Sequence, residues 1–237
     1  MYTKEFFIES TDVNAKLDIK LSSLMRMMQD VATEHAEILH IGKADTLDKG
    51  LYWVITRYYI DMIKYPKYLS KIKISTYPGD DMKFIFPRYF LIESMEGELL
   101  GRASSTWVVL NKSDHKVNLN PFPGLVVPTE HVENEIGLPE KVIGEGGSFI
   151  EERKVRYSDI DLNGHLNNTK YMEYILDMKD SSFYLNNKIS SILINYEKEL
   201  LDGDKVSLYS DEGNPEYIVG KTGDTNIFEV KITYQKR

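Results

Sequence analysis

The sequence predicts an α+β protein made of two tandem units, each an antiparallel sheet wrapped around a long helix. Three observations carry this: an apolar stripe at helical spacing near the start, strand-like runs with turn residues between them, and a return of the same order in the second half. From Leu21 to Ile41, the residues Leu21, Leu24, Met25, Met28, Val31, Ala32, His35 and Leu39 recur at steps of three and four, so one face of a helix is apolar, and Gly42 is a suitable stop. The period then changes. Tyr52–Ile63, Ile72–Tyr77, Phe84–Glu93 and Leu99–Leu110 are rich in β-branched and aromatic residues and are separated by turn chemistry at Tyr65-Pro66, Pro78-Gly79-Asp80 and Glu96-Gly97. Pro121, Pro123, Pro128, Pro139 and the Gly144–Gly147 cluster argue against regular structure, which places a linker at residues 118–147 between units at 1–117 and 148–237.

The second unit repeats the order: a strand over Phe149–Tyr157, a polar loop, a helix near Asn168–Asp180, then strands over Ile189–Leu200, Lys205–Ser210, Tyr217–Lys221 and Ile227–Gln235. Local detail repeats too. Asp12-Val13-Asn14-Ala15-Lys16 resembles Asp161-Leu162-Asn163-Gly164-His165, and Ile72-Lys73-Ile74-Ser75 resembles Val206-Ser207-Leu208-Tyr209. Two such units in one chain mimic a homodimer, and pairing of two whole chains as a further homodimer stays open.

Composition narrows the function classes. With 237 residues, 42% hydrophobic and 11% aromatic, the chain can bury enough surface to offset ordering entropy, which excludes a disordered polymer. There is no cysteine, so disulfides, thiolate metal sites and a Cys nucleophile are excluded. The opening MYTKEFFIES has no apolar run of signal-peptide length, and no later stretch reaches the ~20 apolar residues of a membrane span, so the expected location is the cytoplasm. A formal charge of −8 opposes nucleic-acid binding. An acidic protein partner would need a local basic surface, for which Lys64, Lys67, Lys71, Lys73, Arg153, Lys154 and Arg156 are the candidates. Neither a phosphate-cradling Gly-rich loop nor a Gly-x-Ser-x-Gly elbow is present, which disfavours nucleotide cofactors and a serine hydrolase mechanism.

Chemistry concentrates in Tyr157-Ser158-Asp159-Ile160-Asp161-Leu162-Asn163-Gly164-His165-Leu166-Asn167-Asn168-Thr169-Lys170-Tyr171, a polar loop opening into a helix. A turn with an N-cap explains the Asn and Asp residues but leaves His165 without a task. A calcium loop starting at Asp159 fails because its twelfth position is Lys170 instead of a bidentate acid. A hydrolytic site accounts for all of it: a His near neutral pKa, a carboxylate to orient it, an amide to place water or a carbonyl, and helix-start N–H groups to stabilise an oxyanion.

This run resembles the D-x-N-x-H-x-N-N-x-x-Y signature of the acyl-ACP thioesterases. In the first half, Gln29-Asp30-Val31-Ala32-Thr33-Glu34-His35-Ala36, Trp53-Val54-Ile55-Thr56-Arg57, Ile63-Lys64-Tyr65-Pro66 and Gly101–Asn111 also look like that family. The resemblance implies a double hot-dog fold, hydrolysis of acyl-[acyl-carrier-protein] to free fatty acid, no cofactor, and an acyl carrier protein as partner. It implies that Asp161, Asn163 and His165 are catalytic together with Glu199, a residue expected on the strand after the second helix. Leu200 stands where the plant-type pattern has Cys, so no cysteinyl intermediate can form; water attacks, or an anhydride forms on Asp161 or Glu199. Single-unit acyl-CoA hydrolases share an Asp-x-x-Gly-His-x-Asn loop that Asp161, Gly164, His165 and Asn167 also satisfy, so a CoA thioesterase and a non-catalytic acyl-binding protein remain as alternatives.

In the first unit, the resemblance between loops sets Lys16 where His165 stands, leaving that unit free to bind the acyl chain. Met25, Met28 and Trp53 suit an apolar acyl tunnel, although Met25 and Met28 equally fit an ordinary core stripe. His35 lies on that stripe and reads as a core histidine, whereas His40, His115 and His131 read as surface residues.

Overall fold

In the computed structural model, which describes every residue except 124, 125, 134 and 145, the chain divides into two units, Met1–Pro139 and Glu140–Arg237. The first unit comprises β1 (Tyr2–Phe7), α1 (Leu21–Ile38), α2 (Lys43–Leu47), β2 (Leu51–Met62), β3 (Lys71–Pro78), β4 (Phe86–Ser94) and β5 (Leu99–Asn111). Its sheet runs in the order β1-β3-β4-β5-β2 with antiparallel neighbours throughout. The predicted stripe on α1 buries Leu21, Leu24, Met25, Met28 and Val31, and the helix lies against β3 and β1. Alternate strand residues meet it, Ile72 and Ile74 from β3 and Phe90 and Ile92 from β4, all fully buried. Each such side chain contributes roughly 1.5–3 kcal/mol of burial.

Two differences from expectation arise in this unit. β1 has no strand-like apolar run because it is an edge strand whose side chains alternate between half-buried and exposed, so Lys4 and Glu5 dilute the signal. The expected linker at residues 118–147 has no helix or strand among its described residues, yet part of it is packed. Ile136, Val132 and Leu138 cover Tyr77, Tyr89 and Leu91 on the sheet face opposite α1, and Ser104 Oγ donates to the Gly137 carbonyl at 2.7 Å. The same span contains residues 124, 125, 134 and 145, which lie outside the described residues.

The second unit comprises β6 (Ser148–Lys154), α3 (Asn168–Leu176), α4 (Ser181–Asn186), β7 (Asn187–Tyr196), β8 (Lys205–Ser210), β9 (Glu216–Thr222) and β10 (Thr225–Lys236). Its sheet order, β6-β8-β9-β10-β7, is that of the first unit element for element. The helix expected over Asn168–Asp180 is broken into α3 and α4, with Asp180 in the N-cap position of α4. The strand expected over Ile189–Leu200 ends at Tyr196, because the N–H groups of Glu197 and Lys198 both turn to the Ile227 carbonyl. Glu197 and Glu199 therefore lie beyond the strand and do not share a strand face. Each unit is an antiparallel sheet carrying a helix on one face, the tandem hot-dog arrangement of the α+β class.

Candidate active site

Ahead of α3 the backbone folds back on itself through bonds made largely by one side chain. Ile160 bridges Leu166, Asp161 N–H donates to the His165 carbonyl at 2.8 Å, and Gly164 N–H donates to the Asp161 carbonyl at 3.1 Å. Asp161 Oδ1 accepts the N–H of Asn163 at 2.8 Å and of His165 at 3.2 Å, an Asx turn that fixes both residues. Gly164 takes φ +89°, the left-handed region that glycine enters freely. Asn167 then caps α3, its Oδ1 accepting from Thr169 N–H and Oγ1, each at 2.9 Å.

The loop docks on the segment following β7 through Leu166 N–H to the Leu200 carbonyl at 2.8 Å. This contact brings His165 and Glu199 together, with Nε2 3.2 Å from Oε2 and side chains 20% and 33% exposed. The pair is shielded yet reachable. Below it, burial first and the Glu199 charge second push the Tyr171 hydroxyl far above its ordinary pKa, so it stays a neutral phenol. Asn163 is exposed on the same loop. The helix start contributes less than expected: Thr169 N–H is taken by the Asn167 side chain and Lys170 N–H by the Asn167 carbonyl, so neither is available to an oxyanion.

The first unit contains the same loop. Val13 bridges Ile19, Asn14 N–H donates to the Asp18 carbonyl, and Asn14 Oδ1 accepts the N–H of Lys16 at 2.8 Å and of Asp18 at 3.3 Å. Leu17 holds φ +60° where Gly164 holds +89°. The hydrogen bonds equate Asn14 with Asp161, Lys16 with Asn163 and Asp18 with His165. The pairing of Lys16 with His165 is thus displaced by two residues: matching Asp-x-Asn letters aligned the wrong turn. Ile19 N–H docks on the Pro66 carbonyl as Leu166 docks on Leu200, which puts Tyr65 in the place of Glu199. Asp18 is 2% exposed and 2.5 Å from Lys67 Nζ. The first unit keeps the scaffold and carries neither His nor Glu on it.

Met25, Met28 and Trp53 belong to this first unit. Both methionines are buried in the core, and the Tyr58 hydroxyl donates to Met28 Sδ at 3.4 Å. The half-buried Trp53 ring donates to the Ile41 carbonyl at 2.7 Å, stacks on Phe122 and meets Phe86 edge-on. Of the basic candidates, Lys64 pairs with Glu98, Lys67 with Asp18, and Arg153 with Glu151 and Asp177. His40, His115 and His131 are exposed, and His35 is buried against Arg88, a partner with no sequence signal. Among the described residues, no cluster of three or more His, Asp and Glu could hold a metal, and no helix is long and apolar enough to cross a membrane.

The family model described as acyl-ACP thioesterase N-terminal domain matches residues 1–119, and that of the C-terminal domain matches residues 145–236. The chain is 25% identical over 245 residues to oleoyl-acyl carrier protein thioesterase 2, chloroplastic, of Arabidopsis thaliana, covering 95% of this chain and 66% of that protein. It is 26% identical to dodecanoyl-[acyl-carrier-protein] hydrolase, chloroplastic, of Cinnamomum camphora, over 84% of this chain and 56% of that protein. The chain spans between about half and two thirds of the length of these curated relatives. In structure it resembles an acyl-ACP thioesterase from Bacteroides thetaiotaomicron with a TM-score of 0.90 at 23% identity, over 98% of this chain and 97% of that one.

Proposed function

The chain belongs to the acyl-ACP thioesterase family, and from that premise we propose that it hydrolyses the thioester of an acyl-[acyl-carrier-protein] to release free fatty acid. The observation that carries the reading is the approach of His165 Nε2 to Glu199 Oε2, 3.2 Å, between two loops that only the fold brings together. The imidazole N–H donates to Glu199 Oε2, and the carboxylate accepts a proton from water as that water bonds to the thioester carbonyl carbon. The carbon–sulfur bond then breaks, and the leaving sulfur takes the proton back through the His165–Glu199 pair. Asn163, with an exposed amide on the same loop, holds the carbonyl or the water. Met25, Met28 and Trp53 line the acyl site in the first unit.

Single-turnover rates on a chain-length series presented on acyl carrier protein and on CoA test this. His165→Ala and Glu199→Gln should each lower the rate at least ~10²-fold at unchanged melting temperature, the lower end of acid–base contributions. Glu197→Gln, exposed beyond β7, should stay within about threefold. Near-parental turnover by Glu199→Gln would remove the water-activating role, and a preference for CoA would remove the carrier protein as partner.

A further inference from the structure

Asp161 presents a question that its two counterpart loops answer. As a carboxylate in a hydrolytic site it invites a chemical role, either as base or as the nucleophile of an anhydride. Its observed bonds are different. Oδ1 is taken by two backbone N–H groups, those of Asn163 and His165, and its own N–H and carbonyl close the turn onto His165 and Gly164. The first unit performs the same construction with an amide: Asn14 Oδ1 accepts from Lys16 and Asp18, the Asn14 N–H reaches the Asp18 carbonyl, and the Leu17 N–H reaches the Asn14 carbonyl. The matching bonds differ by about 0.1 Å at most. One loop carries His165 and Asn163; the other carries Asp18 and Lys16, with Tyr65 in the place of Glu199. The fold thus contains its own control: what both loops share is a side-chain oxygen that accepts two N–H groups, and the carboxylate's charge is not needed to build the turn.

We infer that Asp161 is a positioning residue, acting through the backbone of Asn163 and His165, and that its carboxylate is neither the base nor the nucleophile. This rests on the thioesterase reading above and divides the labour within it: Glu199 and His165 move protons, Asn163 binds, and Asp161 holds His165 and Asn163 in place. An Asx turn needs an acceptor oxygen, which asparagine retains and alanine lacks. A base or nucleophile needs the carboxylate, which both substitutions remove.

Two variants separate the cases. Asp161→Asn should keep kcat for acyl-carrier-protein hydrolysis within about tenfold of the parent, whereas Asp161→Ala should lose at least ~10²-fold, with KM changed less than kcat in both, since a misplaced catalytic group is felt mainly in the transition state. Amide hydrogen exchange gives a readout without substrate: protection at Asn163 and His165 should persist in Asp161→Asn and fall in Asp161→Ala, with the β7–β10 amides unchanged. Equal inactivation of both variants, with exchange protection retained in Asp161→Asn, would overturn the inference and return the carboxylate to the chemistry. Loss of protection in Asp161→Asn would overturn it as well. If the parent protein fails to turn over acyl carrier protein, the functional reading falls by itself, and the exchange comparison still decides whether Asp161 builds the turn.

Discussion

His35 supplies a pH dependence whose size follows from its surroundings. It sits in the last turn of α1, 6% exposed, and its Nδ1 lies 3.2 Å from Arg88 Nη1. A guanidinium only donates, so Nδ1 must accept, and the imidazole is neutral with its proton on Nε2. Burial first, then the Arg88 charge and the chain's N-terminal ammonium, lower its pKa from 6.5 to about 4. The unfolded chain therefore takes up this proton first as pH falls. The stability that His35 contributes is complete above about pH 6.5 and is lost progressively down to about pH 4. Over the full window the linkage amounts to roughly 3 kcal/mol, and between pH 7 and pH 5 to roughly 2 kcal/mol. His35→Gln keeps an acceptor for Arg88 and does not titrate. Both tryptophans, Trp53 and Trp107, lie in the first unit, so urea unfolding followed by tryptophan fluorescence reports that unit. The parent should lose about 2 kcal/mol more than His35→Gln between pH 7 and pH 5, all other titrating groups being common to both. Equal losses, within about 0.5 kcal/mol, would refute the neutral, Arg88-bound imidazole.

Substitutions in the first unit should act on chain length: Trp53→Ala, or Met25→Ala and Met28→Ala in turn, should shift the preferred acyl chain by a graded amount, about 1–3 kcal/mol per methylene difference, in the assay series on acyl carrier protein. A uniform fall across all lengths would show that the buried methionines serve only the core, where Met→Ala costs about 2–5 kcal/mol. In the second unit, Lys179→Ala should destabilise by about 3–5 kcal/mol in chemical denaturation, because Glu216 loses its cation at 3.1 Å while remaining buried.

The elements most legible in the sequence are those whose signal is local and repeated. The α1 stripe recurs over five turns, and the β-branched runs of β2 to β5 are bounded by Pro and Gly, so their positions follow from periodicity alone. Elements defined by a partner are not legible in that way. β1 exists because β3 offers it an edge. The α3 helix stops at Leu176, and the residues after it include Lys179, which reaches Glu216 on β9. Residues 197–200 keep the alternation of a strand, yet two N–H groups converge on one carbonyl and end the ladder.

The site shows the same division. Asp161, Asn163 and His165 lie together in one loop and can be found by reading along the chain, whereas the contact of His165 with Glu199 depends on Leu166 docking on Leu200. The register of the first-unit loop was hidden because Leu17 occupies the left-handed conformation, one that leucine rarely adopts and that no sequence pattern announces. The buried charges are the least legible. Strand register equates Arg88 of β4 with Glu216 of β9, since Thr76 pairs with Phe90 as Ser210 pairs with Ile218. Arg88 donates to Thr76 Oγ1, and Glu216 accepts from Ser210 Oγ. One position of the repeat thus carries opposite charges in the two units, each with a hydroxyl from the same neighbouring strand. The compensation differs accordingly: Glu216 has Lys179 and the Tyr234 hydroxyl, whereas Arg88 has a neutral His35 and the carbonyl end of α1, where the helix dipole favours a cation. A buried charge held by neutral groups depends on those groups staying neutral, and for that reason the acid sensitivity of the first unit converges on His35.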